Sequence, residues 1–335
     1  MLFDALWFAG GLALLLAGGK LLVNASVDTA TRLRISPLVV GLTLVAWGTS
    51  APELALNIAS ALKARGELAL GNVVGANICN MALVLGVSAI IRPLIVDLRL
   101  IRVEVWLNAA ILTLIAAAAW FLARSGEVFP RWLALALLGV FASYSMGTIL
   151  GAIRVSRAAN AAPAELTSTA DAPPAPGTMG WGAIALCFGS GLLMLSLGGA
   201  FASDGASGFA TRLGVPAAIV GVTIVSIGTT LPELVTSVLA VRKGQTDLAM
   251  GNAVGSCIFN AGAILGLVGL LAPAPVPPSL QVPLVFMGAL ALALIVIART
   301  FDRTVARIEG VLLLGSYVAF LALAALAASR ASVAP

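Results

Sequence analysis

The stretch Gly48-Thr49-Ser50-Ala51-Pro52-Glu53, followed by Gly71-Asn72-Val73-Val74-Gly75-Ala76-Asn77-Ile78-Cys79-Asn80, returns 180 residues later. The second copy reads Gly228-Thr229-Thr230-Leu231-Pro232-Glu233, then Gly251-Asn252-Ala253-Val254-Gly255-Ser256-Cys257-Ile258-Phe259-Asn260. Aligned without gaps, residues 41–90 and 221–270 are identical at 19 of 50 positions, and the match extends back to Thr31-Arg32-Leu33 against Thr211-Arg212-Leu213. Each copy sets a glutamate and a proline inside an otherwise apolar segment, so the chain is a duplication with an ionisable group at the same place in each half.

The surroundings of those glutamates are a bilayer. Hydrophobic residues make up 60% of the chain, charged residues only 10%, and mean hydropathy is +1.08, more apolar matter than a soluble domain can bury. Runs near the roughly 20 residues that cross a hydrocarbon core of about 30 Å recur at 3–24, 36–61, 68–91, 102–123 and 132–153. They resume at 181–203, 216–241, 248–271, 281–299 and 308–328. The expectation is an all-α integral membrane protein of ten transmembrane helices.

Residues 154–180, with Pro163, Pro173, Pro174 and Pro176 among Ala, Ser and Thr, read as a flexible cytoplasmic linker. It separates a five-helix repeat at 1–153 from a second at 181–335. The first apolar run lacks the charged and small-residue flanks of a cleaved leader and reads as a true span. Five spans is an odd number, so the second copy enters the membrane from the opposite side and the repeats are inverted, the arrangement of many secondary transporters.

With both termini outside, the inner loops hold Arg32, Arg34, Arg92, Arg99, Arg102, Arg154, Arg157, Arg242, Lys243, Arg299, Arg303 and Arg307. The outer side holds Lys63, Arg65, Arg124, Arg131, Arg212 and Arg330. The bias follows the positive-inside rule and accounts for the net charge of +5. These cations are dispersed, which leaves no basic stripe for nucleic acid. Histidine is absent, and Cys79, Cys187 and Cys257 show no metal or redox spacing, which argues against zinc or copper chemistry.

Chemistry then falls to the repeated motif. Proline has no N–H to donate and crowds the carbonyl four residues back, so Pro52 and Pro232 are expected to open their helices beside Gly48 and Gly228, freeing carbonyls near Ala46 and Ser226. Backbone freed at membrane depth needs protein, water or an ion to satisfy it. Thr49 and Glu53, like Thr229 and Glu233, stand four residues apart on one helical face. Gly71 and Gly75, with Asn72, Ala76 and Asn80 at the same spacing, allow close helix approach, as do Gly251, Asn252, Gly255, Ser256 and Asn260. Such crossings bring Asn80 and Asn260 beside the glutamates. Alternatively, one glutamate could pair with Lys20. Glu104, Glu309 and Asp97 fall near span ends, where solvent or a neighbouring arginine would satisfy them.

Every candidate ligand atom is an oxygen, the preference of hard cations and above all of calcium, which tolerates irregular coordination. Two ionised glutamates balance one divalent ion, or several monovalent ions or protons. An empty doubly charged site is costly to move through low dielectric, which favours exchange over one-way passage.

On Gly-Thr-Ser-x-Pro-Glu and Gly-Asn-x-x-Gly-x-x-x-x-Asn, each present twice, the chain resembles the cation/calcium exchanger superfamily, and most closely its prokaryotic sodium/calcium exchanger branch. The resemblance implies two inverted five-helix repeats around a central cation site, with alternating access by sliding of the first and sixth spans. It implies that Glu53 and Glu233 coordinate calcium with Thr49 and Thr229 and also serve sodium. Ser50, Thr230 and Ser256 and the carbonyls of Ala46 and Ser226 belong to flanking sodium positions, and Asn80 and Asn260 to the central polar pair. Two departures stand out: Ala76 where its repeat partner is Ser256, and Asn260 where some relatives carry Asp.

The expected function is calcium/sodium antiport without a cofactor beyond the transported ions, in a bacterial inner membrane and as a monomer. Calcium/proton exchange is the nearest alternative. A channel fits less well because channels usually ring several subunits around a pore. An enzyme fits least, because the motifs offer no nucleophile with a histidine base.

Overall fold

In the computed structural model the described residues are 1–63, 66–96, 100–161, 179–213, 226–273, 275–300 and 303–331. Outside them lie Arg65, Asp97, Arg99, Gly221, the start of the 216–241 span and the four linker prolines.

The described chain is helical, apart from one pair of two-residue strands. Helix α1, Leu2–Leu33, ends where Arg34 turns left-handed at φ 51° and Ile35 N–H returns to the Ala30 carbonyl. Ser36 then accepts from Val39 N–H, with Pro37 at the first helical position. Helix α2 (Pro37–Val40), a π-helical turn at Gly41–Val45, α3 (Ala46–Thr49) and α4 (Ala51–Leu62) follow as one broken apolar segment. Next come α5 (Gly66–Ile78), a π turn at Cys79–Val84, α6 (Leu85–Ile91), strand β1 (Leu94–Ile95) and a π turn at Leu100–Val105. Helices α7 (Trp106–Ser125) and α8 (Arg131–Ala161) complete the first half.

The second half contains α9 (Trp181–Arg212), α10 (Ser226–Arg242), α11 (Thr246–Phe259), a π turn at Asn260–Ile264 and α12 (Leu265–Leu271). Helix α13 (Gln281–Ile297), strand β2 (Thr304–Val305) and α14 (Arg307–Ala331) close the chain. Among the described residues eight helices are long and apolar enough to cross a membrane, nine with the bent pair Pro37–Thr49 and Ala51–Leu62. The expected 216–241 span is described only from Ser226 onward.

Burial is distributed as in a membrane protein. Phe121 and Trp132 are each 70% exposed on the outside, whereas Ser50, Glu233 and Asn252 are 0% exposed inside. In α11 every residue except Asp247 is buried. A polar centre under an apolar surface suits lipid and would cost a protein in water dearly.

Helices α1 and α9, which begin the two halves, cross antiparallel with backbones nearly touching. A Cβ on Gly11 would lie 2.7 Å from the Gly198 carbonyl, and one on Gly18 would lie 2.7 Å from that of Gly191. Gly11 and Gly191 are 180 residues apart, as are Gly18 and Gly198, so the contact is reciprocal between the copies. Asp4 pairs with Arg212 at 2.7 Å at one end of this crossing. At the other end the Arg32 guanidinium lies over the Trp181 ring. Strand β1 pairs antiparallel with β2, Leu94 with Val305 and Ile95 with Thr304, and an isolated bridge joins Val128 to Pro275.

Two expectations need correction, and a third is narrowed. Helix α8 continues through Ala161, into the stretch read as linker from Arg154; its alanines favour helix, and Arg34 anchors the Ala159 carbonyl at 2.8 Å. Glu309 is buried and arginine-free: its carboxylate caps Ala306 N–H at 2.8 Å and bonds Thr300, a helix-start role suited to its first-turn position. Glu104 is buried as well, at 8% exposure, so of the two expected ways of satisfying it solvent is excluded.

Candidate cation site

The site begins at Ser50. Its backbone, φ −86° and ψ 3°, leaves the helix between α3 and α4, and the two pieces meet at 43°. Pro52 has no N–H to carry the ladder through this turn. The Ala46 carbonyl accepts the helical bond from Ser50 N–H at 3.0 Å and also lies 3.4 Å from Thr49 Oγ1 and 3.5 Å from Ser256 Oγ. That carbonyl keeps its helical donor, so it is not freed as the motif led us to expect, and Ser256 Oγ approaches it from the other half.

The second copy behaves differently. Helix α10 runs unbroken from Ser226 to Arg242 with Pro232 inside it. Gly199 of α9 explains why: a Cβ there would lie 3.2 Å from the Gly228 carbonyl and 3.4 Å from Pro232 Cδ, so the bare glycine receives both the pyrrolidine ring and the carbonyl it deprives of a donor. The expected opening at Pro232 is therefore absent, and Ser226, the first described residue of α10, belongs to the same continuous helix.

Glu53 is 2% exposed and Glu233 0%. They come from opposite halves, and their carboxylates lie close enough to interact. Ser50, one turn before Glu53, donates to Glu233 Oε1 at 2.9 Å and lies 3.1 Å from Ser256 Oγ. Thr49 Oγ1 lies 3.0 Å from the Val45 carbonyl and 3.3 Å from Asn252 Oδ1. Thr230 is buried as expected, while Thr229 is only half-buried, unlike its counterpart Thr49 at 1% exposure. Lys20 is exposed on α1, which separates it from both buried carboxylates.

Asn80 and Asn260 are each 1% exposed and lie in the π turns that follow α5 and α11. A π turn adds a residue to the helical ring and re-aims the side chains around it, a feature frequent at functional sites. The Cys79–Val84 turn packs against α10, which carries Glu233, and the Asn260–Ile264 turn against α4, which carries Glu53. The turn that carries each asparagine thus meets the glutamate helix of the opposite half.

Four residues form a support: motif reading named Asn72 and Asn252 only as positions of close helix approach, and passed over Asn57 and Ser237. Asn57 Nδ2 donates to the Glu53 carbonyl at 2.7 Å and to Asn72 Oδ1 at 2.8 Å. Asn252 Nδ2 donates to the Glu233 carbonyl at 3.2 Å and to Ser237 Oγ at 3.0 Å. Positions 57 and 237, and 72 and 252, share the repeat offset, but the donor changes sides: the Glu53 carbonyl is held by Asn57 of its own helix, which reaches Asn72, and the Glu233 carbonyl by Asn252 of the neighbouring helix, which also reaches Ser237. The available signal was a polar residue four places after each glutamate, on its helical face.

Glu53 Oε2, Glu233 Oε2, Asn80 Oδ1 and Asn260 Oδ1 are buried without a hydrogen-bond partner among the described residues. Buried oxygens left this way cost stability, and a cation would repay them. The set is all oxygen, with two carboxylates supplemented by hydroxyls, amides and a carbonyl, as hard cations require. Cys79 and Cys257 are buried free thiols, and Cys187 is half-buried.

Comparison with known proteins agrees with this chemistry. The family model described as sodium/calcium exchanger protein matches residues 3–150 and 183–326. The putative antiporter CaxA of Alkalimonas amylolytica is 33% identical over 325 residues, spanning 96% of this chain and 98% of the relative. The sodium/calcium exchanger MaX1 of Methanosarcina acetivorans is 30% identical over 339 residues, 93% of this chain and 95% of that one. Among solved structures, the sodium-calcium exchanger NCX_Mj soaked with sodium and strontium superposes with a TM-score of 0.76 at 28% identity, covering 96% of this chain and 98% of that chain. A duplicated, lipid-embedded fold with two facing glutamates and these likenesses lead to one conclusion: the chain belongs to the sodium/calcium exchanger family of membrane cation antiporters.

Proposed function

We propose that the protein exchanges calcium for sodium by alternating access, with Glu53 and Glu233 as the shared cation ligands. The observation that carries this reading is the pair of buried carboxylates from opposite halves, each with an unpartnered oxygen. Thr49, Thr229, Asn80 and Asn260 supply further oxygens to calcium. Ser50, Thr230, Ser256 and the Ala46 and Ser226 carbonyls serve sodium. Two negative charges balance one calcium ion, and the uncompensated pair is costly to carry through low dielectric, so the return half of the cycle needs other cations.

Ten spans arranged as inverted repeats at 1–153 and 181–335 complete the proposal. Support comes from the antiparallel α1–α9 crossing, where glycines of one copy meet those of the other, and from the helical segment Ser226–Arg242 as the remainder of a tenth span. The distribution of Lys and Arg favours both termini outside a bacterial inner membrane. The ligands lie within one chain, which suits a functional monomer.

Calcium uptake into everted vesicles under an imposed sodium gradient tests the reading. We expect sodium-driven uptake that falls to background in Glu53→Gln and Glu233→Gln, with both variants still in the membrane. Calcium/proton exchange is the second reading, favoured by the missing hydroxyl at Ala76. Competition between calcium and sodium on the purified protein across pH separates the two: sodium displaces calcium at constant pH in the first, and only protons do so in the second.

A further inference from the structure

Helices α1 and α10 run side by side toward one membrane face: a Cβ on Gly19 would lie 2.8 Å from Leu239 Cδ1, and further along Lys243 Nζ donates to Asn24 Oδ1. Lys20 stands one turn before Asn24 on the same side of α1 and is exposed. Its charge reaches Lys243, whose pKa is held below the ordinary lysine value by partial burial first and by Lys20 second. Neither lysine has a carboxylate within ion-pair distance among the described residues. Asp28, one turn beyond Asn24, accepts from Met179 N–H at 2.9 Å. A third cation borders the pair, since a Cβ on Gly244 would lie 3.1 Å from Arg92 Nη1. The repeat offset maps Lys20, Asn24 and Lys243 onto Ala200, Asp204 and Lys63, so in the other copy one lysine is an alanine and the amide is a carboxylate.

The reciprocal glycine contacts centre the α1–α9 crossing on Leu14 and Leu15, with Met194 and Leu195 opposite. In the inverted arrangement proposed above, on which this depth rests, that centre marks the bilayer midplane. Lys20 then lies roughly 8 Å along the helix from it and Asn24 roughly 14 Å, near the edge of a hydrocarbon half-layer of about 15 Å. An exposed lysine at that depth runs its stem along the helix and sets its ammonium at headgroup level, where Lys243 is. Ammonium groups this close repel one another, and an anion shared between them removes that cost. Leu12 and Leu16, exposed on the same side of α1 one and two turns before Lys20, offer an apolar lane for an acyl chain below the cations. We propose that Lys20 and Lys243, bordered by Arg92, form a site for the headgroup phosphate of an anionic phospholipid. A headgroup there joins α1 to the helix that carries Glu233.

The test is thermal unfolding of the purified chain in a neutral detergent, with added phosphatidylglycerol or phosphatidylcholine of the same acyl chains. We expect phosphatidylglycerol to raise the midpoint by several degrees and phosphatidylcholine to raise it much less. Lys20→Met and Lys243→Gln, which keeps a donor for Asn24, should each lose most of that difference. Arg154→Gln, which removes an exposed cation from α8, should keep it. Equal effects of the two lipids, or a difference that survives both lysine changes, overturn the proposal. Stabilisation by inorganic phosphate or glycerol phosphate as large as that by phosphatidylglycerol also overturns it, assigning the lysines to a free anion. Should one lysine variant fail to fold, the other and the wild-type comparison decide. The readout is lipid binding, so a negative result leaves the exchange reading untouched, and failure of that reading leaves this one standing.

Discussion

Ser50 Oγ donates a 2.9 Å hydrogen bond to Glu233 Oε1, joining residues 183 positions apart and from different halves of the chain. The break that turns Ser50 inward belongs to the first copy, and the carboxylate it meets belongs to the second. Each half of the site is thus completed by the other. A change in how the halves pack changes the ligand set itself.

Ser50→Ala removes that bond together with the contact to Ser256. A hydrogen bond to a charged group contributes about 1.5–3 kcal/mol, and the same hydroxyl is a proposed sodium ligand. We expect the half-saturating sodium concentration for calcium exchange to rise by roughly 10-fold or more, with a smaller change for calcium. Equal losses for both ions would count against a flanking sodium role.

Asn252→Ala leaves the Glu233 carbonyl and Ser237 Oγ without their shared donor. Unsatisfied buried groups cost about 1–3 kcal/mol each, so thermal unfolding in detergent should shift down by several degrees. Calcium should stabilise the variant less than the wild type. Asn72→Ala is expected to act the same way through Asn57.

Gly11→Ala would set a Cβ 2.4 Å from the Ala202 amide nitrogen and 2.7 Å from the Gly198 carbonyl. Overpacking at a backbone-to-backbone contact costs about 1–3 kcal/mol, and here it also separates α1 from α9. Lower melting and lost transport are expected together. Gly10→Ala meets nothing within 4 Å and should be neutral or stabilising by up to about 1 kcal/mol.

Pro52→Ala and Pro232→Ala should be unequal despite their identical motif. Pro52 lies at a 43° bend that aims Ser50 and the Ala46 carbonyl, whereas Pro232 lies in a continuous helix. Restoring the N–H at position 52 favours a straight helix, so calcium uptake should fall by about 10-fold or more, the effect of misplacing ligand groups by an ångström. Pro232→Ala should lose less. The reverse order would show that the second copy also bends during the cycle.

Much of the site was legible because it is carried by composition and repetition. Two glutamates, their hydroxyl neighbours and Asn80 and Asn260 could be named from a motif occurring twice, and all of these but the half-buried Thr229 are buried. The π turns were not legible, since nothing in Cys79–Val84 or Asn260–Ile264 marks an extra residue per turn. Nor were the Asn57–Asn72 and Asn252–Ser237 ties, whose function depends on which helix packs alongside. Glu309 was misread because proximity to arginines in sequence does not reveal that its own helix start is the nearer partner.

By itself the amino-acid sequence determined that this chain lives in lipid, that it is built twice, and that each copy buries one glutamate. These are properties of content and spacing, which hydration and helix periodicity convert directly into structure. Tertiary packing decided that Ser50 meets Glu233, and that Pro52 bends its helix while Gly199 lets Pro232 ride inside one. Those outcomes depend on surfaces brought together from about 180 residues apart, and local pattern holds no record of such meetings.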